Sequence, residues 1–87
     1  MFNGLGELAL ATGDPAEALR YFRLAVVIAG EKEIMREEAR AREGIGRVHR
    51  AAGRRAEADG EFRSAYAICE KLESPSAIRL AALLRDS

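Results

Sequence analysis

Arg40, Glu43, Arg47 and Arg50 follow one another in steps of 3, 4 and 3, a spacing that sets their side chains along one stripe of a helix. A guanidinium is a rigid fork that grips a carboxylate or phosphate through two parallel hydrogen bonds. Three of them on a stripe could receive a carboxylate, an acidic side chain or a phosphate; the plainer reading is an ordinary solvated helix face. Other chemistry-bearing residues are few. His49 is the only histidine and Cys69 the only cysteine. Catalysis at His49 would need a matched acid, thiol or hydroxyl in reach, and no metal-ligand spacing joins it to Cys69. Both read as helix-contact residues, and no catalytic, metal or cofactor-binding residue is assigned. Gly4-Leu5-Gly6 precedes no strand-turn-helix unit, so a nucleotide-binding loop is unsupported. Carboxylates between residues 31 and 43 alternate with Lys32, Arg36, Arg40 and Arg42. That is the pattern of a solvated face with i,i+4 neighbours such as Glu33/Glu37 and Glu38/Arg42.

What positions these residues is an internal repeat. Residues 3–30 and 43–70 are two copies of one pattern at an offset of 40, with the same residue at Gly4/Gly44, Gly6/Gly46, Ala11/Ala51, Gly13/Gly53, Ala18/Ala58, Phe22/Phe62, Ala25/Ala65 and Ile28/Ile68. Repeats of this length are stacked supersecondary units, none of which buries its apolar face alone. Apolar spacing predicts five helices, over residues 2–12, 15–29, 33–52, 55–73 and 77–85, and no segment alternates with the period of a strand. Gly13 and Gly53 stand where left-handed caps belong. Asp14-Pro15 with Glu17 is a strong helix start, whereas Arg54-Arg55 opposes the helix dipole at the matching place. Gly30 is expected to end the second helix.

The chain has 87 residues, 48% hydrophobic and 32% charged, with fourteen basic residues balanced by fourteen acidic ones. That length allows one small domain burying about 60–65% of its unfolded surface. Zero net charge gives no reason to expect nucleic acid or an anionic membrane as partner. No stretch approaches the ~20 apolar residues of a membrane span, and no basic region precedes an apolar run at the N-terminus as a signal peptide would require. A lone cysteine excludes an internal disulfide and suits a reducing cytoplasm.

Phe2, Leu5-Gly6, Gly13-Asp14, Ala18, Phe22 and Ala25, echoed by Ile45-Gly46, Gly53, Ala58, Phe62 and Ala65, resemble the tetratricopeptide repeat. Two departures stand out: Arg42 where the first copy has Phe2, and Gly30 and Glu70 in place of the usual closing proline. The 40-residue offset exceeds the usual 34 by about one and a half helical turns, as in the longer repeats of bacterial regulator versions. The resemblance implies an all-α fold of helix-turn-helix repeats stacked as an α-solenoid: one domain over 1–87, with repeats at about 2–30 and 33–73 and a capping or third-repeat helix at about 75–86. It also implies a partner-binding groove lined by the first helix of each repeat, which by position gives Asn3, Glu7 and Leu10, then Arg40, Glu43, Arg47 and Arg50. On the second helix, Leu19, Tyr21, Leu24 and Val27 are more apolar than their counterparts Asp59, Glu61, Ser64 and Ala67, an excess that marks a candidate self-association patch.

The expected function is a non-enzymatic cytoplasmic scaffold or regulatory module that binds a protein or peptide, an acidic one at the arginine stripe, and uses no cofactor. The alternative is a structural module that forms a homo-oligomer, or the C-terminal piece of a longer repeat array. RNA binding by a related helix-pair repeat is disfavoured by the zero net charge and by only two full repeats.

Overall fold

A computed structural model describes residues 2–85 as five α-helices: α1 Phe2–Ala11, α2 Pro15–Glu31, α3 Met35–Ala51, α4 Arg55–Lys71 and α5 Ser76–Arg85. Residue 86, the expected end of the last helix, lies outside the described residues. Each helix packs on the next, and α1 also reaches α3, as expected of stacked helix pairs.

The helix starts follow local chemistry. At α2 the Asp14 carboxylate accepts from the Glu17 backbone N–H at 3.1 Å and Pro15 takes the first helical position. At α4, Arg54 stands at the cap without a side-chain hydrogen bond to the helix's first turn. The helix ends share one device. Gly13 and Gly53 adopt φ of 84° and 81°, and the next N–H returns to a carbonyl five residues back, Asp14 to Ala9 and Arg54 to His49, at 2.8 Å each.

Gly30 does not end α2. The helix runs through it, and the left-handed residue is Glu33, with Glu73 in the same role after α4 (φ 56° at both). Ile34 and Ser74 then close the turn by donating to the carbonyls of Ala29 and Cys69 at 2.8 Å. Glycine permits a left-handed bend without compelling one. The packed residues Ala18, Phe22, Ala25 and Ala29 carry the helix up to and past Gly30, so α2 and α4 both reach 17 residues. The left-handed conformation costs a non-glycine residue roughly 1–2 kcal/mol, offset here by the closing hydrogen bonds.

Two apolar clusters hold the stack. One joins Ala9, Ala18 and Phe22 to Ile45 and Val48, and so ties the first helix pair to α3. The other joins Ala58, Phe62, Ala65 and Cys69 to Ala39 and Leu80, and ties the second pair to α5. Phe22 and Phe62 are 0% and 1% exposed, each worth roughly 2–3 kcal/mol in buried apolar area. Backbones must come close for the rings to fit. A Cβ on Gly6 or Gly44 would stand 2.7 and 2.5 Å from the Phe22 ring, and one on Gly46 would stand 2.7 Å from Phe62. These glycines are packing surfaces.

The Arg42 departure is explained by its neighbour. In the first pair Phe2 stacks on Tyr21, with ring centroids 6.2 Å apart. Forty residues on, the same two positions are Arg42 and Glu61, and they form an ion pair at 3.4 Å, with Glu38 also on Arg42 at 3.0 Å. One interhelix contact has been rewritten from aromatic to ionic at both ends together.

Candidate functional site

The first helices of the successive pairs, α1, α3 and α5, bound a groove of about 1030 Å³, with the Leu72–Ser76 turn forming one wall. Ala39, Cys69 and Leu72 supply apolar lining, and the charges come from Glu7 on α1, Arg36, Glu37, Arg40, Glu43 and Arg47 on α3, Arg79 on α5, and Glu33 and Glu73 in the turns before α3 and α5.

These charges are largely paired with one another. Arg40 grips Glu7 through two hydrogen bonds, Nη2 to Oε1 at 2.8 Å and Nε to Oε2 at 3.2 Å. The hydrogen bonds from Arg40 hold the Glu7 carboxyl below its usual range and, reciprocally, raise the already high pKa of Arg40. Glu43 takes Arg79 of α5. Arg47 lies 3.8 Å from Glu7, beyond hydrogen-bond distance, and keeps its donors available. Arg36, at the exposed start of α3, has no ion pair among the described residues. Each strong pair bridges consecutive first helices, so the ions fix the groove's width as well as its charge.

Of the residues expected in the groove, the structure brings Glu7, Arg40, Glu43 and Arg47 together. Asn3 is corrected: it is 2% exposed, and its amide donates to the backbone carbonyl and carboxylate of Glu37, both at 3.1 Å. The extra length at the start of α3 covers it. Leu10 is also corrected, packing half-buried against the Phe22 cluster, and Arg50 is half-buried outside the groove lining. Sequence reasoning missed Arg36 and Arg79. The signal for Arg79 was present in Leu80-Ala81, which lies 35 residues after Ile45-Gly46 and sets α5 as a further first helix.

The apolar excess on α2 divides in two. Leu19 and Tyr21 are half-buried against the Phe22 cluster, with Tyr21 held between Phe2 and the Arg20 guanidinium, 4.8 Å from its ring. Only Leu24 and Val27 face outward, 37% and 57% exposed. Their counterparts on α4 do not all face water either, since Asp59 and Glu61 are half-buried.

His49 and Cys69 serve the fold. His49 Nδ1 accepts from Arg54 Nε at 2.9 Å across the α3–α4 turn. Cys69 is buried among Phe62 and Leu80, and this burial raises its thiol pKa. Among the described residues no group of three or more His, Cys, Asp or Glu side chains gathers to hold a metal ion, and no helix is long and apolar enough to cross a membrane.

The tetratricopeptide repeat profile matches residues 1–71. The chain belongs to this family. The match spans α1 to α4, and α5 extends the same stacking beyond it. No curated protein and no solved structure matches the chain. Tetratricopeptide repeat domains are in general non-catalytic scaffolds for protein–protein interaction.

Proposed function

We propose that this tetratricopeptide repeat module binds an acidic peptide segment of a partner protein along the groove between α1, α3 and α5, in a cytoplasmic setting that suits its single thiol. The observation that carries this reading is Arg47: it sits in the groove wall, ion-paired to Glu7 only at 3.8 Å and making no hydrogen bond to it, so its forked donors can turn to an incoming acid. Arg36 adds a second open cation at the groove's edge. Arg40 and Arg79 are occupied by Glu7 and Glu43 and act as the frame. The apolar surface of Ala39 and Leu72 gives a bound segment something to cover.

The test selects peptides from a random library on the chain, then compares their affinity for Arg47→Glu. Arg47 is exposed, so the reversal should change stability by no more than about 0.5 kcal/mol. It should weaken binding by roughly 2–5 kcal/mol where the charge pair is desolvated. Selected peptides should carry Asp or Glu, and their binding should weaken with salt. Peptides that bind the reversed protein equally well would refute the assignment. A second reading, self-association through the outer face of α2, is favoured by one observation, the exposure of Leu24 and Val27.

A further inference from the structure

The first turn of α1, the last turns of α2 and the start of α3 enclose a pocket of about 270 Å³. Its apolar walls include Phe2, Ala25, Ile28 and Ile34, and the Phe2 ring is held in place by its stack on Tyr21. One polar residue of the lining stands out. The Asn3 amide nitrogen donates to the backbone carbonyl and the carboxylate of Glu37. Both of these groups are acceptors, which fixes the orientation of the amide. Its side-chain oxygen is therefore turned away from them, and it is buried with no donor among the described residues. Forty residues on, Glu43 holds the place of Asn3, and there the carboxylate is taken by Arg79 of α5. A buried acceptor left without a donor is costly.

We propose that this pocket binds a free small aromatic molecule of the indole class, its ring against Phe2, Ala25, Ile28 and Ile34 and its N–H donating to the Asn3 side-chain oxygen. Size and chemistry select that ligand. An apolar cavity of roughly 150 Å³ suffices for benzene, so this one has room for a second fused ring. The charged members of the lining are Glu37, already held by the Asn3 amide, and Lys32, exposed at the end of α2. Apolar walls and one unmet acceptor are what remain for a ligand to match. A site built around such an acceptor rejects the analogue that lacks the donor. The pocket shares Ile34 and Glu37 with the groove, whereas Phe2, Ala25 and Ile28 line this pocket alone of the two.

The test titrates the isotope-labelled full chain with indole and with N-methylindole, the same ring system with its donor capped. Indole should shift the Ala25 and Ile28 methyl signals and the Phe2 ring signals. N-methylindole should bind about tenfold more weakly or worse. The chain contains no tryptophan, so the emission of indole itself gives a second reading of the affinity. Asn3→Leu, checked for helical content by circular dichroism, should bind the two probes alike; the comparison on the unaltered chain stands without that variant. No binding at millimolar indole, equal affinities for the two probes, or shifts confined to groove residues such as Arg47 would each overturn the proposal. So would a folded Asn3→Leu that still prefers indole. N-acetyltryptophanamide binding more tightly than indole would overturn the free ligand in favour of a tryptophan side chain from a partner.

Discussion

A single methyl group added at two equivalent glycines should act in opposite directions. In a helix interior alanine is favoured over glycine by roughly 1 kcal/mol. At Gly4 the new Cβ meets nothing within 4 Å among the described residues, so Gly4→Ala should stabilise the protein by about 0.5–1 kcal/mol. At Gly44 it would lie 2.5 Å from Cε1 and Cζ of Phe22, about 1 Å inside the usual carbon–carbon separation. The ring has no free side to move to. It is 0% exposed, and Gly6 already approaches the same edge so closely that a Cβ there would stand 2.7 Å away. Overpacking of this kind costs typically 1–3 kcal/mol or more, which outweighs the propensity gain. The propensity gain is common to both, so the two variants should differ by the overpacking cost, about 1–3 kcal/mol, in urea unfolding followed by circular dichroism. For a domain of this size each kcal/mol moves Tm by roughly 4–8 °C, so thermal melts should separate them clearly. If both substitutions stabilise equally, Phe22 is not held between the two glycines and the packing argument fails.

Further outcomes follow from the ions, the turns and the outer face of α2. The pKa of Glu7 is lowered from 4.5 in the folded protein by its hydrogen bonds from Arg40, so the stability it adds is present above the unfolded carboxylate range and disappears as pH falls through the lower folded value. Glu7→Gln should flatten that acid limb, by less than ~1 kcal/mol because the pair is partly exposed; equal acid limbs in the two proteins would sink the assignment. Replacing Glu33 with glycine should relieve the left-handed strain and stabilise by about 1 kcal/mol, whereas a loss of stability on denaturant titration would contradict the turn geometry. If Leu24 and Val27 form a subunit contact, Leu24→Glu should dissociate the oligomer, because an unpaired buried carboxylate is costly. Light scattering that shows the same mass for both proteins would remove that face from consideration.

The fold was legible because the residues that set it act locally or repeat. Gly13, Asp14 and Pro15 mark a turn by their own conformational limits, and Ala18-Phe22-Ala25 repeats intact at Ala58-Phe62-Ala65. Half of the groove could be read in the same way, since Glu7, Arg40, Glu43 and Arg47 fall on faces fixed by helical spacing. Asn3, Leu10 and Arg50 could not. Asn3 is buried only because the start of α3 folds over it, and that depends on where α2 ends. The end of α2 was misread because Gly30 carries a turn signal that hydrogen bonding at Glu33 and Ile34 overrides. Nor does spacing reveal pairing: three arginines on one stripe look like an open cationic surface until Glu7 of α1 is found across the groove on Arg40 and Arg47.

The exchange of Phe2–Tyr21 for Arg42–Glu61 has a consequence for how the chain finds its fold. Two near-identical helix pairs in one polypeptide invite the wrong partners to meet, with α1 against α4 or α2 against the far side of α3, and misassembly of this sort is a characteristic failure of repeat proteins. In such a mismatch Glu61 would face the Phe2 ring and lose its cation, while Arg42 would face Tyr21 and lose its Glu61 carboxylate. The penalty falls chiefly on the Glu61–Phe2 pairing, since Arg42 keeps Glu38 and a guanidinium stacks favourably on a tyrosine ring, and discrimination gained by penalising the wrong pairing works even where the rest of the two surfaces is the same. The divergence at this one position serves as an address, telling two copies of the same motif apart during assembly.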